Sequence, residues 1–227
     1  MIGRALALGA AAWIGWAWLP HLVTPLATWR GPRTRRSLAL TFDDGPDPEW
    51  TPRVLDRLAA AGVHATFFLI GERATRAPAL VRRMIAEGHE VGNHSWSHRN
   101  PWFCGPRATS DEIQRAHDAL ADLTGAPPRH FRPPWGMVNA ATFPVLNRLG
   151  ERCVFWSIQP EGRRPAPADR QLAYVLRRAH PGAIVDLHDA EGTRQAPARL
   201  VAVLPPLIAG LRERRWGLAT VADLLAS

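Results

Sequence analysis

From residue 37 onward, short apolar runs alternate with segments in which apolar residues recur every three or four positions. The runs at 37–42, 65–70, 89–94, 130–132, 153–158, 183–188 and 217–221 read as strands. The stretches at 52–61, 78–87, 110–123, 140–149, 169–178 and 197–214 read as helices. Ser110, followed by Asp111 and Glu112, is expected to cap the third of these. Strict alternation of strand and helix predicts an α/β fold, a parallel sheet covered by helices. An open doubly wound sheet and a closed barrel both satisfy it. No G-x-G-x-x-G follows the first strand, which argues against a dinucleotide crevice. Seven strands in about 190 residues are few for a full eight-unit barrel.

The first thirty residues break this pattern. Residues 5–19 are uncharged and rich in Ala, Leu and Trp, and the apolar character continues through Pro20 and Pro25 to Trp29, before a basic RGPRTRR. A bilayer needs roughly 20 such residues, and tryptophan suits its interface. Residues 1–36 are therefore expected to be an apolar N-terminal helix, acting as a membrane anchor, plus a basic linker, with the domain at 37–227. A cleaved signal peptide, or an apolar helix lying on the barrel or on a membrane surface, are the alternatives, although no A-x-A site is evident. The flanking charges pull the other way. Arg4 precedes the run and Arg30, Arg33, Arg35 and Arg36 follow it, which places the domain in the cytoplasm. The function inferred below calls for an extracytoplasmic domain at the cell membrane.

Charge narrows the partners. The net charge of +8 comes entirely from arginine, since the chain has no lysine, and it favours anionic partners. No nucleic-acid-binding signature accompanies it. Cys104 and Cys153 form neither a CxxC pair nor a disulfide framework.

The chemistry sits at the strand ends. Asp43-Asp44, His94, Arg132, Gln159 and His188 each fall at or just past the C-terminal end of a strand, the rim on which parallel α/β folds build sites. His94 and His98, four residues apart on a helical turn, can reach one ion. Two histidines and a carboxylate leave an open coordination position, as catalytic zinc requires. Alternation along the first strand puts Leu38, Leu40 and Phe42 on one face and Ala39, Thr41 and Asp43 on the other, so Asp43 points into the barrel mouth and Asp44 lies just beyond it. One of these aspartates can ligate a metal while the other takes a proton from water.

With TFDDG at 41–45, HSWSH at 94–98, RPPWG at 132–136 and LHD at 187–189, residues 37–227 resemble the NodB-homology polysaccharide deacetylases, carbohydrate esterase family 4. The resemblance implies a distorted (β/α) barrel of about seven parallel strands and metal-assisted hydrolysis of an N-acetyl group on an amino sugar. It implies a divalent metal, normally Zn2+, held by Asp44, His94 and His98. Asp43 would be the general base, oriented by Arg132, and His188 the general acid. The backbone N–H of Trp135 would help bind the oxyanion. Trp135, Trp156 and Leu187 would line an acetyl-methyl pocket or serve as packing.

One stretch departs from the family. Many members carry Asp-x-x-Asp-Trp after the fifth strand, where this chain reads WSIQPEGRRP, with Gln159, Gly162 and Arg163 at those positions. The usual carboxylate partner of His188 is missing. Asp186, two residues before His188 and on the same strand face, is expected to replace it and to raise the histidine's pKa, with Glu161 the second candidate. Arg163 and Arg164 suggest an anionic or lipid-linked sugar as substrate. A monomeric enzyme is expected; the altered loop leaves a non-catalytic glycan-binding member of the same fold as the alternative.

Overall fold

A computed structural model of the chain describes residues 9–161, 166–191 and 195–226. Its central strand, β1 (Ser37–Asp43), sends its two faces to different layers. Leu38, Leu40 and Phe42 join the main core beneath the helices. Ala39 packs with Phe68, Val154 and Ile184 in a smaller cluster within the curve of the sheet. The alternation of bulky and small residues thus sorts the strand as the sequence suggests.

Among the described residues, six strands follow: β2 (Thr66–Leu69), β3 (Glu90–Asn93), β4 (His130–Phe131), β5 (Arg152–Cys153), β6 (Ala183–His188) and β7 (Gly217–Ala219). Every pairing is parallel, in the order β5-β4-β3-β2-β1-β6, with β7 also on β1. β6 takes one whole edge of β1, while β2 and β7 share the other, β2 at Thr41–Asp43 and β7 at Ser37–Ala39. The expected strand at 153–158 is much shorter. Its apolar run changes partner as it goes: Val154 bridges Thr28, and Ile158 bridges Val185 of β6. That crossing draws the two ends of the sheet together into a distorted barrel.

The helices are α1 (Trp50–Ala61), α2 (Gly71–Arg76), α3 (Pro78–Ala86), α4 (Pro106–Thr124), α5 (Thr142–Leu149), α6 (Ala168–Arg178), α7 (Ala196–Glu213) and α8 (Val221–Ala226). α4 starts a turn earlier than Ser110, because Pro106 fits a first turn whose N–H groups need no helical partner. Ser110, Asp111 and Glu112 therefore lie inside the helix rather than capping it.

The N-terminal segment corrects the expectation of an anchor. Among the described residues no helix is long and apolar enough to cross a membrane. Proline interrupts α-helical hydrogen bonding, and with Pro20 and Pro25 in it the segment runs as a π-helical turn (Ile14–Trp18) and a 3-10 helix (Leu19–Leu26). It folds back on the barrel. Trp16 Nε1 donates to the Cys104 carbonyl at 3.0 Å, and Ala140 N donates to the Trp16 carbonyl at 3.0 Å. Further on, Thr28 N donates to the Cys153 carbonyl, and Trp29 stacks on Phe155 with ring centroids 4.3 Å apart. Residues just before β1 are therefore part of the packed structure rather than a free linker.

Candidate active site

β1 ends at Asp43, and the chain turns at once through Asp44, whose φ is 73°. Gly45 is required there, since a Cβ would lie 2.5 Å from the carboxylate oxygen of Asp189. Asp189 is fully buried, accepts a short hydrogen bond from Thr51, and is pushed up to about 7 by burial. After β3, His94 and His98 follow on an irregular turn with left-handed Ser95 (φ 65°) and His98 (φ 59°), not on the helical turn expected from their spacing. Asp44, Ser95, His98 and Trp135 (φ 53°) are four of the six non-glycine residues with positive φ among those described. Each such residue stores about 1–3 kcal/mol of strain, so the strain is concentrated at this rim. Glu112 pins the turn: Ser97 N and Oγ donate to its two carboxylate oxygens at 2.8 and 2.7 Å.

Asp44 Oδ1 lies 3.1 Å from His98 Nε2 and 3.4 Å from His94 Nε2, yet it is buried without a hydrogen-bond partner. Ligand atoms of these three residues all fall within 4.8 Å of one another. His94 Nδ1 is 2.7 Å from the Arg132 carbonyl, to which it donates, leaving Nε2 for the cluster. Burial raises the Asp44 pKa, but contact with His94 and the charges of His94 and His98 outweigh it and hold the carboxyl well below the usual range. Burial and His94 push His98 down to about 4, which keeps its lone pair available. Burial opposes charge on His94, but Asp43 and Asp44 prevail and raise it. The paired carboxylates call for positive charge at this point, so an orphaned carboxylate oxygen and two imidazole nitrogens fit a cation.

Arg132, with no solvent exposure, organises the floor. Its NH1 donates to Asp43 Oδ1 at 2.7 Å and Thr41 Oγ1 at 2.6 Å, NH2 donates to the Phe155 carbonyl, and the guanidinium lies 4.2 Å above the Phe68 ring. Asp43 Oδ2 is left toward the cluster, 3.9 Å from His94 Nε2.

His188 stands opposite Asp43 in the β1–β6 register. Its Nδ1 lies 2.5 Å from Glu161 Oε2, a carboxylate that is itself buried. Asp186 does not make the expected bond to His188: it accepts from Gln159 Nε2 at 3.0 Å and lies 3.4 Å from Arg132 NH1. Ligand atoms of Asp186, His188 and Asp43 fall within 4.8 Å of one another, but no hydrogen bond joins Asp186 to His188. Asp186 still acts through its charge. Burial disfavours protonated His188, but Asp186 and Glu161 together raise its pKa well above the ordinary value. Asp186 is itself pushed up to about 7, by burial and by Asp43.

A cleft of about 450 Å³ opens over these groups, walled in part by Trp135, Met137 and Trp156. Trp135 is 55% exposed, and its ring centroid is 4.2 Å from that of His98. Leu187 is buried in the main core, turned away from the cleft by strand alternation. Arg163 and Arg164 lie outside the described residues. Arg73 of α2 also lines the cleft and was missed in the sequence, since a six-residue helix gives almost no periodic signal. Glu161 was legible as the one acid in WSIQPEGRRP.

A barrel of parallel strands with a carboxylate–imidazole cation cluster, a second carboxylate and an opposing histidine defines a hydrolytic site. Comparison with known proteins agrees. The sequence model described as polysaccharide deacetylase matches residues 30–154. A chitooligosaccharide deacetylase of Bradyrhizobium sp. (strain ANU 289) is 43% identical over 155 residues, covering 68% of this chain and 71% of its own length. Among solved structures, the Bc1960 peptidoglycan N-acetylglucosamine deacetylase gives a TM-score of 0.84 at 31% identity, over 92% of this chain and 98% of that one. BA3943 from Bacillus anthracis, described as a CE4 family pseudoenzyme, gives 0.78 at 25% identity, over 87% and 68%. The chain belongs to the polysaccharide deacetylase family.

Proposed function

We propose that this protein is a metal-dependent hydrolase that removes the acetyl group from an N-acetyl sugar. The observation that carries this reading is the convergence of Asp43, Asp44, His94, His98 and His188 on one cleft. Deacetylases of chitooligosaccharide and of peptidoglycan N-acetylglucosamine among its relatives support the substrate class. Asp44, His94 and His98 would hold a divalent cation, zinc by the character of its donors. When bound, the cation would supply Lewis acidity to the acetyl carbonyl oxygen and lower the pKa of a water there to about 7.

The chain's own groups do the rest. Asp43 takes a proton from the attacking water on Oδ2, because Arg132 occupies Oδ1. As the water oxygen bonds to the carbonyl carbon, the backbone N–H of Trp135 donates to the oxyanion. His188 is held through Nδ1 by Glu161 and gives a proton from Nε2 to the sugar nitrogen as the C–N bond breaks. Acetate and the free amine result. Trp156, half-buried in the cleft wall, faces the acetyl methyl group.

The test pairs metal content with product. Wild-type protein is expected to bind one zinc and release acetate from N-acetylglucosamine oligomers, whereas Asp43→Asn binds zinc and releases almost none. A second reading, a glycan-binding member without turnover, is favoured by Gln159 and Gly162, at the positions where the resemblance noted above implies carboxylates in many family members. Bound zinc with no acetate from chitooligosaccharides and peptidoglycan fragments alike would establish that reading instead.

A further inference from the structure

Arg73 is the third residue of α2, and its guanidinium lines the cleft beside the cation cluster. NH1 donates to the Asp44 carbonyl at 2.8 Å. Among the described residues this is its one hydrogen bond, and no carboxylate lies within ion-pair distance of it. Arg76 on the same helix pairs with Glu72 at 2.5 Å, and Arg83 of α3 pairs with Glu87 at 2.6 Å and Asp56 at 2.7 Å. Arg132 faces Asp43 at 2.7 Å beneath the cleft floor. Arg73 is thus a half-buried guanidinium, anchored at one nitrogen, with its remaining donors unspent at the mouth of a carbohydrate site.

A guanidinium presents five N–H donors in a planar fork that matches a carboxylate or a phosphate, and a desolvated charge of this kind is costly unless something answers it. Among the described residues no carboxylate of the cleft pairs with it: Asp43 is taken by Arg132, and Asp44 faces His94 and His98. Asp186 and Glu161 are buried and committed to Arg132, Gln159 and His188. Glu191, also in the lining, is exposed and not within 4.0 Å of Arg73. The cleft therefore carries separated charges that favour one orientation of an acidic ligand over its reverse.

We infer that Arg73 binds a carboxylate or phosphate on, or next to, the sugar residue whose acetamido group sits over the cation cluster, so that acidic N-acetyl sugars are preferred over neutral ones. This rests on the deacetylase reading above and deepens it. Because NH1 already bonds the Asp44 carbonyl, the arginine also ties substrate charge to the turn that carries a cation ligand.

The experiment compares the zinc-loaded full chain with Arg73→Gln, which keeps an amide donor for the Asp44 carbonyl but loses the charge. Acetate release is measured on three substrates: a neutral N-acetylglucosamine oligomer, an oligomer of the same length bearing a sugar carboxylate, and N-acetylglucosamine 1-phosphate. The ratio of kcat/KM on each acidic substrate to that on the neutral one is expected to fall at least tenfold in Arg73→Gln, chiefly through KM. Whichever acidic arm shows the larger fall identifies the anion. Arg73→Lys, which keeps charge without the fork, should fall between. An unchanged ratio, or equal losses on neutral and acidic substrates, would overturn the proposal and leave Arg73 as a prop for Asp44. Calorimetric binding of the same ligands separates the two readings. No acetate from any substrate, together with charge-selective binding that Arg73→Gln abolishes, sinks the deacetylase reading and keeps this one.

Discussion

His94 and His188, two of the three histidines in the cleft, differ in one contact. His94 donates from Nδ1 to a backbone carbonyl, that of Arg132, at 2.7 Å. His188 has its Nδ1 2.5 Å from a carboxylate, that of Glu161. A neutral carbonyl fixes the ring and its tautomer without adding charge, which suits a cation ligand whose Nε2 must keep its lone pair. A carboxylate fixes the ring and also stabilises the imidazolium, which suits an acid. Two positions on one barrel rim, after β3 and at the end of β6, thus hold the same side chain by different partners, which fits the different duties proposed for them.

Four substitutions sharpen this contrast. Asp43→Asn strikes both halves, since it removes the base and the countercharge of Arg132; acetate release should fall about 10²–10⁴-fold with zinc content retained, measured by metal analysis and product assay. Glu161→Gln strikes the acid half alone. The His188 pKa is raised in the folded protein, and the acid form is needed, so activity is lost as pH rises through that raised value. Removing the Glu161 charge lowers it, so the alkaline limb of the pH–rate profile should move to lower pH, with the plateau kcat down about tenfold or more as the ring loses its tether. An unmoved limb would mean that Glu161 does not serve His188.

Asp186→Asn separates charge from tether. It should shift the same limb in the same direction but leave the plateau nearly intact, because Glu161 still holds the ring. A plateau loss matching that of Glu161→Gln would restore Asp186 as the positioning residue. Smallest of all is Glu112→Ala, which frees the turn bearing His98; zinc affinity should drop by about tenfold in a competition titration, with the alkaline limb unmoved.

Much of the cation half was legible in the sequence, and less of the acid half, for physical reasons. Asp43, Asp44, His94 and His98 sit on or within five residues of a strand end, so alternation and strand counting suffice to bring them together. Arg132 follows a strand of two residues, but its Pro-Pro neighbours fix the local chain. Glu161 lies three residues past Ile158, where the backbone, having left the ladder after Cys153, touches the sheet at a single bridge, and no periodic rule predicts where a side chain on such a path will point. Asp186 was placed on the correct face and comes close to His188, yet its hydrogen bonds go to Gln159 and Arg132 instead. The short helices α2 and α8 escaped for want of length, and Arg73 with the first. The apolar N-terminal run misled because its composition suits lipid, while its tryptophan N–H groups find carbonyls on the barrel: Trp13 on Trp102, Trp16 on Cys104.

The bridge between Thr28 and Val154 bears on how the protein can be handled. A truncation starting at Ser37, the boundary the sequence suggests, would strip this rung from the chain just beyond β5, together with the indole that covers Phe155. The carbonyl of Cys153 and the amide of Phe155 would then face solvent without partners, and they are ready-made docking points for a strand from another molecule. A shortened version is expected to self-associate more readily than the full chain, which size-exclusion chromatography of the two would show.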